Sequence, residues 1–469
     1  MLKNCLNEKE KKKIHFIGIG GVGMSSLAII LNFLGHEITG CDISKSRYTQ
    51  MLEKNGITVY YGHSEKHLDG VDIVVYSSAI PQNNPELLKA KEKGIWVIPR
   101  AQMLSEVMNL YPKSIVVAGS HGKTTTTSMI AEVLINLKKN PTVVVGGIIN
   151  NIKTHSILGK SEYLVAEADE SDGSFLCYNP FIEVITNIDK EHLDFYADFK
   201  AVKKAFINFI KKCSPDGKVV LCGDDEGVKD VLEEISGPFL LYGFSSENHL
   251  VGKILEDTGY PLVEIYYKEN YLGNLKLSVP GKHNILNALA TIGVSLILDL
   301  PVKQVLKILE KFKGARRRLE FKGIWRGNIL LDDYAHHPTE IKASLEALRK
   351  VYRDKKLFLI FQPHRYSRVK ALWDEFLLVL KDPEILVLTE IYPASEKPIP
   401  GVSGYTFFES VKNLRGSKPT FFANDFEGIF DLLEKIGDKE QIIVTMGAGN
   451  IYKIHSKLLQ QEKNLENVA

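Results

Sequence analysis

A segment rich in glycine and threonine holds the residues of this chain best suited to binding phosphate. Residues 114–134 read SIVVAGSHGKTTTTSMIAEVL, an apolar run followed by a glycine turn, a lysine and an apolar helical pattern. Such a turn points backbone N–H groups and an ammonium at a phosphate, and the hydroxyl of Thr124 could reach a bridging Mg²⁺ ion. The common phosphate-loop pattern has a glycine six residues before its lysine, where this chain has Val117. The residues therefore leave open a nucleotide site of another type or an ordinary strand-to-helix turn.

Acids and a histidine follow two later apolar runs. Predicted strand 163–166 leads into Glu167 and Glu170, and predicted strand 184–188 leads toward His192. Ligands bind beyond the carboxyl ends of parallel strands, so these side chains would lie at the same sheet edge as the glycine turn. Each acid alone would fit a solvated loop, but the set favours an oxygen-rich Mg²⁺ site on a nucleotide.

Another glycine turn lies near the start of the chain. Residues 16–23, FIGIGGVG, match G-x-G-x-x-G between a predicted strand and predicted helix 25–34. A second predicted strand, 36–40, ends near Asp42, where an acid could meet a ribose hydroxyl. The pattern suits a pyrophosphate, which both NAD and a nucleotide-diphosphate sugar present. These residues do not decide between the two ligands, and a turn without a ligand is the third interpretation.

Two further groups fit ATP. Asn284 and Asn287 lie three residues apart on a predicted helix, so their carboxamides share a face and could read an adenine edge. The alternative is a helix cap beside a surface residue. The arginine run 316–318 could carry a guanidinium onto a γ-phosphate, or could be a solvated basic linker.

The C-terminal third places polar residues after predicted strands. Segment 329–338, ILLDDYAHHP, ends in acids and histidines, and His364, Arg365 and Arg368 follow predicted strand 357–361. Paired arginines suit a carboxylate, which a guanidinium binds through two hydrogen bonds. These patterns favour a substrate-binding lid over a second ATPase.

Composition bounds the class of protein. The chain has 469 residues, enough for two to four domains, and its net charge of +2 gives no electrostatic case for nucleic acid or a membrane surface as partner. The N-terminal segment is rich in charged residues through Lys13, so it lacks the apolar region of a signal peptide, and no apolar stretch approaches the ~20 residues of a membrane helix. The scattered cysteines predict a reduced, cytoplasmic protein with thiols as small core residues: Cys5, Cys41, Cys177, Cys213 and Cys222.

Strands and helices alternate in three blocks, which predicts an α/β protein with parallel sheets. Ordered motifs in all three blocks resemble the Mur ligases, the ATP-dependent enzymes that build the peptide of bacterial cell-wall precursors. The family's ATP loop is G-T/S-H-G-K-T-T, so the shortened phosphate loop is a family trait. The matching segments are GIGGVGM (18–24), SSAI (77–80), GSHGKTT (119–125), EADESD (167–172), HNILN (283–287), DDYAHHPTE (332–340), FQPHRYSR (361–368) and GAGNI (447–451).

The resemblance implies an α/β fold of three domains. These are a Rossmann-like UDP-sugar-binding domain at 1–110, a P-loop ATPase-like ATP-binding domain at 111–316, and a Rossmann-like domain at 317–469 that binds the amino acid and closes on ATP. It implies ligation of L-alanine to the carboxylate of UDP-N-acetylmuramate, with ATP and Mg²⁺, by a cytoplasmic monomer or homodimer in peptidoglycan precursor synthesis. It also argues against NAD at the first turn.

Site residues follow by position in the matching motifs. The resemblance assigns ATP to Gly119, Ser120, His121, Gly122, Lys123, Thr124, Thr125, Asn284, Asn287, Arg318 and Asp333. It assigns the UDP-sugar to Gly18, Gly20, Gly21, Val22, Gly23, Asp42, Ser77 and Ser78. The candidates for the amino acid are His336, His364, Arg365 and Arg368.

Within these sets the resemblance implies particular roles. Lys123 would hold the β- and γ-phosphates, Asp333 would face the ribose, and Thr124, Glu167 and His192 would bind the metal. The predicted catalytic residues are Lys123, His192 and Arg318. Glu170 remains a rival of Glu167 for the metal, and Arg317 a rival of Arg318 for the γ-phosphate.

Three other functions stay open. A muropeptide ligase would attach a whole peptide to the same UDP-sugar and keep the ATP motifs. An NAD-dependent oxidoreductase would explain the first glycine turn but not GSHGKT. A non-catalytic nucleotide sensor would need the predicted metal-binding acids to be structural.

Overall fold

The computed structural model of the protein describes residue 6 and residues 10–149, 154–192, 195–436 and 440–466. The first elements along the chain are β1 (Lys13–Ile17), α1 (Val22–Phe33), β2 (Glu37–Asp42), α2 (Arg47–Lys54), β3 (Thr58–Tyr61), β4 (Ile73–Tyr76), α3 (Pro85–Glu92), β5 (Trp96–Pro99) and α4 (Arg100–Met108).

The middle of the chain adds both parallel and antiparallel strands. Its elements are β6 (Lys113–Ala118), α5 (Lys123–Asn136), β7 (Thr142–Ile149), β8 (Thr154–Ile157), β9 (Tyr163–Glu167), β10 (Ile182–Ile185), α6 (Phe199–Ile210), β11 (Lys218–Cys222), α7 (Glu226–Leu232), β12 (Phe239–Gly243), β13 (Leu250–Glu256), β14 (Leu262–Tyr267), β15 (Asn270–Lys276), α8 (Lys282–Ile297) and α9 (Val302–Leu309).

The last part returns to strand–helix alternation. Its elements are β16 (Glu320–Trp325), β17 (Asn328–Asp333), α10 (Pro338–Val351), β18 (Leu357–Phe361), α11 (Tyr366–Ala371), α12 (Trp373–Val379), β19 (Ile385–Thr389), α13 (Gly404–Arg415), β20 (Thr420–Ala423), α14 (Phe426–Ile436), β21 (Ile442–Met446) and α15 (Ile454–Glu466).

Contacts divide the chain into two compact units, each assembled from separate stretches. The first unit consists of Met1–Asp189, Val202–Val251 and Asn287–Leu309. The second consists of Lys190–Ala201, Gly252–Leu286 and Glu310–Ala469. Each unit has an apolar core of its own.

A five-stranded parallel sheet lies in the first unit, in the order β3-β2-β1-β4-β5. β1 is its centre, and the apolar side chains of Ile14, Phe16 and Ile17 are fully buried because helices cover both faces. The strand order reverses direction at β1, which opens a crevice at the carboxyl ends of β1 and β4. The predicted Rossmann-like architecture is confirmed.

The first unit also contains strands of a second sheet, in the order β12-β11-β10-β6-β9-β7-β8. The pairs from β12 to β7 are parallel, and β8 runs antiparallel to β7. β6 lies between β10 and β9, and its residues Ile115, Val116 and Val117 are fully buried. The segment after β6 therefore emerges between the carboxyl ends of two neighbouring strands.

The second unit is built on a six-stranded sheet, in the order β16-β17-β21-β18-β19-β20. All of its pairs are parallel except β16 with β17. β18, with the sequence LFLIF, is buried along its whole length, and apolar clusters cover both faces of the sheet. β14 and β15 pair antiparallel.

Several sequence-based boundaries and burial assignments need correction. Helix α1 begins at Val22 rather than at residue 25, because the glycine turn is shorter than expected. β10 ends at Ile185 rather than at 188, since the next side chains bond to the loop after β6 instead of a neighbouring strand. Cys41 and Cys222 are buried thiols as predicted, whereas Cys177 is exposed, and Cys5 lies outside the described residues.

Among the described helices, none combines the length and the apolar character that spanning a lipid bilayer requires.

A buried histidine links the last helix to the second unit's sheet. His455 on α15 is 1% exposed, and its Nε2 lies 2.7 Å from Thr445 Oγ1, which in turn donates to Asp332. Burial, with Lys322 and Arg317 nearby, lowers the pKa of His455 to about 3. The folded protein therefore keeps this imidazole neutral.

We expect His455→Gln, which can keep the hydrogen bond to Thr445, to weaken the acid sensitivity of the fold. Below an unfolded-state pKa of about 6.5 the unfolded chain gains a proton that the folded chain does not. Stability is therefore lost as pH falls from about 6.5 toward about 3. Between pH 7 and pH 4.5 the variant should lose on the order of 2 kcal/mol less than the parent chain. Urea unfolding at several pH values measures this, and parallel pH profiles would contradict it.

Candidate active site

The loop between β6 and α5 has a backbone shape that two glycines permit. Gly119 has φ 125° and Gly122 has φ 84°, values that side chains rarely tolerate. A Cβ atom at Gly119 would lie 2.2 Å from Thr186 Oγ1, and one at Gly122 would lie 2.6 Å from Asn287 Oδ1. The glycines of the motif are thus required both by dihedral angle and by close packing.

The residues after β10 hold this loop in place. Thr186 Oγ1 and Asn187 Nδ2 donate to the carbonyl of His121 at 2.6 and 2.9 Å, and the Ser120 N–H donates to the Asn187 carbonyl. The Asp189 N–H donates to Ser120 Oγ at 2.8 Å, and His121 Nε2 lies 3.0 Å from Asp189 Oδ2. These bonds from the protein's own groups hold the loop in this shape.

Lys123 lies at the first position of α5, and its ammonium folds back over the loop. Nζ donates to the carbonyls of Gly119 and Ser120 at 2.5 and 3.1 Å and to Glu170 Oε1 at 2.9 Å. Glu170 is only 1% exposed, so the pair is shielded from water. The N–H groups of the first turn of α5 have no carbonyl within the helix to donate to. Together with the ammonium they form a site for an anionic group.

Glu167 and Thr124 form the part of this edge that suits a cation. Glu167 ends β9 opposite Val117 of β6, and Thr124 Oγ1 lies 3.0 Å from both of its carboxylate oxygens. A hydroxyl and a carboxylate are the hard oxygen donors that Mg²⁺ takes beside a nucleotide phosphate, so the donor set fits this ion. Glu170 is instead engaged by Lys123, which favours Glu167 as the ligand. His192, the third predicted ligand, belongs to the second unit.

Asn284 and Asn287 of α8 are both largely buried, so neither is the surface residue of the alternative interpretation. Asn287 Oδ1 accepts from Thr126 Oγ1 at 3.1 Å, which fastens α5 to α8 beside the loop. Asn284, in the second unit, donates from Nδ2 to the Pro280 carbonyl at 2.7 Å. Asn287 thus bonds a side chain of α5 and Asn284 a backbone carbonyl, and contact of either with a nucleotide stays a prediction.

The first glycine turn is closed by an acid. The Gly20 N–H donates to Asp42 Oδ2 at 2.9 Å, and a Cβ at Gly20 would lie 2.7 Å from that oxygen. The N–H groups of Gly18 and Ile19 both donate to the Cys41 carbonyl. Asp42 thus shapes the turn, and its predicted contact with a ribose is an untested further role.

Residues from β4 and α4 flank this turn. Ser77 follows β4, and a Cβ atom built at Gly18 would lie 3.5 Å from the Cβ of Ser77. Ser78 is the next residue in the chain. Arg100, the first residue of α4, has its Nη1 3.2 Å from where a Cβ at Gly23 would stand. Sequence reasoning missed this arginine, although a basic residue directly after β5 was a usable signal.

The two rival arginines of the second unit have different partners. Arg317 donates a hydrogen bond from Nε to Asp332 Oδ2 at 3.0 Å. Its Nη1 donates to the Gly449 carbonyl at 3.2 Å, and its Nη2 donates to the Gly447 carbonyl at 2.6 Å. The Arg318 guanidinium bonds Glu340 through Nη1 at 3.1 Å. All three nitrogens of the Arg317 guanidinium already donate to acceptors of the protein, which favours Arg318 as the phosphate ligand.

Asp333 is 3% exposed at the end of β17. Its Oδ1 accepts from the Ala335 N–H, and its Oδ2 accepts from the Leu319 N–H and from Ser344 Oγ. Burial raises the pKa of this carboxyl to about 6. Both oxygens serve the fold in this arrangement, so a ribose contact stays a prediction.

Most residues predicted to bind the amino acid meet in the second unit. The rings of His336 and His364 lie 5.7 Å apart, and Arg368 Nη1 lies 3.1 Å from His364 Nδ1. Arg368 Nε lies 3.6 Å from Glu191 Oε1, and His192 Nε2 lies 3.4 Å from Glu191 Oε2. The sequence analysis did not assign Glu191 a role, although it precedes His192 directly.

A small pocket opens beside this group, lined by Lys190, Glu191, His192, Arg365, Ser367, Arg368, Ala371 and Leu372. Burial lowers the pKa of His336 to about 4 and that of His364 to about 3, so both imidazoles are neutral near pH 7. Arginines beside neutral imidazoles can bind a carboxylate while the histidines accept hydrogen bonds.

Three family models match successive parts of the chain. They are the Mur ligase family catalytic domain at residues 13–112, the Mur ligase middle domain at 117–295, and the Mur ligase glutamate ligase domain at 317–449. The chain belongs to the Mur ligase family, and the predicted three-domain α/β fold is confirmed.

Curated relatives resemble the chain over nearly its full length. The UDP-N-acetylmuramate–L-alanine ligase of Solidesulfovibrio magneticus is 44% identical over 96% of this chain and 98% of its own length. The same ligase from Aquifex aeolicus is 44% identical over 97% of this chain and 98% of its own length.

Solved structures agree with this assignment. The UDP-N-acetylmuramate–alanine ligase of Thermotoga maritima has a TM-score of 0.78 and 28% identity, covering 97% of this chain and 99% of its own. A murein peptide ligase from Psychrobacter arcticus shares the fold, with a TM-score of 0.70 and 24% identity over 96% of this chain and 98% of its own.

We expect Arg317→Met to destabilise the protein more than Arg318→Met. The first change leaves the buried Asp332 carboxylate without its guanidinium, a loss of about 3–5 kcal/mol. The second breaks one bond of a more exposed arginine and should cost about 1–2 kcal/mol. Urea unfolding of the two variants beside the parent chain measures both losses. Equal losses would mean that Arg318 also supports the fold.

Proposed function

We propose that this protein is an ATP-dependent ligase that joins L-alanine to the carboxylate of UDP-N-acetylmuramate, a step of peptidoglycan precursor synthesis. The observation that carries the proposal is the 44% identity to ligases of that name over 96–97% of the chain. The preformed phosphate-binding loop and the adjacent oxygen donors supply the means to use ATP.

The chemistry requires activation, because a carboxylate has only oxide as a leaving group. A carboxylate oxygen of the muramate attacks the γ-phosphorus of ATP, and ADP leaves. The amine of L-alanine then adds to the carbonyl carbon of the acyl phosphate and loses a proton, and phosphate departs. Both steps bring anions together, so charge neutralisation and positioning are the main tasks of the protein.

Residues of the first unit would bind the phosphates and the cation. Lys123 would exchange its present acceptors for the β- and γ-phosphates, and the loop N–H groups would bind the same anions. Thr124 and Glu167, with His192 in the second unit, are our candidates to hold Mg²⁺. This ion would neutralise phosphate charge and orient the γ-phosphate for in-line attack.

Residues of the second unit would complete the reaction site. We assign Arg318 to the γ-phosphate, where a guanidinium stabilises the charge that develops on transfer. We assign the amino acid to His336, His364, Arg365 and Arg368. Asn284 and Asn287 are retained for the nucleotide and Asp333 for the ribose.

We further propose that residues 1–110 bind the UDP-sugar, 111–316 bind ATP, and 317–469 bind the amino acid. The first glycine turn, Ser77 and Ser78 would face the pyrophosphate, and we add Arg100 because its guanidinium lies beside Gly23 at the same turn. A cytoplasmic location fits the nucleotide substrates.

A muropeptide ligase is the second candidate. A murein peptide ligase from Neisseria meningitidis is 28% identical, with a TM-score of 0.60 over 66% of this chain and all of its own. Such an enzyme would share the activation step and differ in the amine that it accepts. Membership of the Mur ligase family argues against the NAD-dependent oxidoreductase.

We expect phosphate release from ATP and Mg²⁺ to require both UDP-N-acetylmuramate and L-alanine. Acyl transfer consumes both, and the acyl phosphate is protected from water until the amine arrives. A coupled assay for phosphate measures this. Release with a tripeptide in place of L-alanine would establish the muropeptide ligase. If no phosphate is released with either L-alanine or the tripeptide, the nucleotide sensor would be the better interpretation.

We expect Glu167→Gln to raise the Mg²⁺ concentration that gives half-maximal activity. The increase should be at least about 10–100-fold, the loss of metal affinity typical when a residue that only orients a metal ligand is changed. Glu170→Gln is the matched control, because it removes a carboxylate that pairs with Lys123 rather than with Thr124. Its Mg²⁺ dependence should stay near that of the parent, while its KM for ATP changes. The reverse pattern would identify Glu170 as the metal ligand.

A further inference from the structure

Five side chains of metal-ligating type meet beneath the first glycine turn, and four of them hold their ligand atoms close enough together to share one ion. The fifth, His63, has its Nδ1 3.3 Å from Cys41 Sγ and 3.5 Å from Glu86 Oε2. The four form the His–Cys–Glu cluster, which consists of His15 on β1, Cys41 on β2, Glu86 on α3, and His67 in the segment between β3 and β4. One ligand atom from each lies within 4.8 Å of those of the other three. His15, Cys41 and Glu86 are 0% exposed, and His67 is partly buried.

Glu86 is the centre of the cluster. Cys41 Sγ donates to Glu86 Oε2 at 2.8 Å, His67 Nδ1 lies 2.6 Å from Oε1, and the Ser64 N–H donates to Oε1 at 2.9 Å. Burial acts to raise the pKa of Glu86, but the neighbouring His15 imidazole, the Cys41 thiol and the Ser64 N–H prevail and lower that pKa to about 2. The carboxylate is therefore ionised at neutral pH and needs cationic or donor partners.

His15 supplies a second observation. Its Nδ1 lies 2.9 Å from Thr39 Oγ1, while its fully buried Nε2 makes no hydrogen bond and faces Glu86 Oε2 at 3.6 Å. A buried polar atom without a hydrogen bond costs about 1–3 kcal/mol. In the tautomer that carries its proton on Nδ1, His15 donates a hydrogen bond to Thr39, and Nε2 presents a lone pair to the cluster, as a metal-binding histidine does.

We propose that the His–Cys–Glu cluster is a structural site for a divalent transition metal, with Zn²⁺ as the preferred ion. Two imidazole nitrogens, a thiolate and a carboxylate are all groups that bind Zn²⁺, and together they would supply the four donors that a closed structural site requires. The site is separate from the proposed ligase reaction.

The geometry needs only small adjustment to accept the ion. Donors on a tetrahedral Zn²⁺ lie about 3.3–3.8 Å apart, given bond lengths of about 2.0–2.3 Å. His15 Nε2 and Glu86 Oε2 are already 3.6 Å apart. The Cys41–Glu86 and His67–Glu86 contacts would lengthen by about 1 Å as hydrogen bonds give way to metal bonds.

Binding has a definite proton balance. Burial and the neighbouring Glu86 raise the pKa of the Cys41 thiol, so the metal-free cluster holds that proton at neutral pH. A Zn–S bond forms as the S–H bond breaks, and the proton passes to solvent. Glu86 is already ionised, so the Cys41 thiol supplies a proton that leaves when the ion binds.

The site would also stabilise the glycine turn above it. The carbonyl of Cys41 accepts the N–H groups of Gly18 and Ile19, and the next residue, Asp42, accepts that of Gly20. An ion that fixes Cys41 therefore fixes the acceptor of two N–H groups of the turn.

The test is a Co²⁺ titration of the full-length, tag-free protein after chelator treatment. We expect one Co²⁺ per chain with a thiolate-to-cobalt charge-transfer band and tetrahedral d–d bands, both abolished by one equivalent of Zn²⁺. Calorimetry in buffers of different ionisation enthalpy should show that binding releases protons. Absence of the charge-transfer band would overturn the proposal, since only a thiolate ligand produces it.

Variants assign the band to the cluster. Cys41→Ser should remove the band, while Cys222→Ser, a matched change at another buried thiol, should keep it. His67→Gln, at the most exposed ligand, should keep the fold and weaken Zn²⁺ binding at least 10-fold. A band that survives in Cys41→Ser, or unchanged Zn²⁺ affinity in His67→Gln, would contradict the assignment.

Discussion

The close approach of two backbones at the carboxyl ends of β6 and β10 is the constraint on which the candidate site depends. Gly119 leaves no room for a Cβ against Thr186, so the loop lies directly on the segment after β10. That contact lets Thr186, Asn187 and Asp189 bond to the loop. A preformed loop spends no binding free energy on ordering itself around a phosphate.

Side-chain hydrogen bonds to the backbone also hold two other turns. Asp42 bonds the backbone of the first glycine turn, and Arg317 bonds the carbonyls of Gly447 and Gly449. In each case a charged side chain satisfies backbone groups that an irregular turn cannot pair with a strand. Each such residue looks like a ligand-binding residue in the sequence, yet part or all of its hydrogen-bonding capacity serves the turn.

Burial sets the charge states around the predicted amino-acid site. His336 and His364 are neutral near pH 7, although a sequence with arginines beside histidines would suggest a wholly cationic surface. Glu191 adds a carboxylate to the same group, close to Arg368 and His192. The combination offers separate positions for a carboxylate and for an amine, which is what an amino acid requires.

Patterns of residues along the chain determined the class of fold and the location of the chemistry. Two local patterns, glycine turns between apolar runs and acids after the next strands, predicted parallel sheets that bind ligands at their carboxyl ends. Each pattern could be recognised because it depends only on neighbouring residues in the sequence. They could not rank Glu167 against Glu170 or Arg317 against Arg318, since that choice depends on which neighbour reaches which atom. Only the tertiary structure brings Thr124 to Glu167, Arg317 to Asp332, and His15 to Cys41 and Glu86. These contacts join residues far apart in the chain, and strand register, rather than spacing in the sequence, decides them.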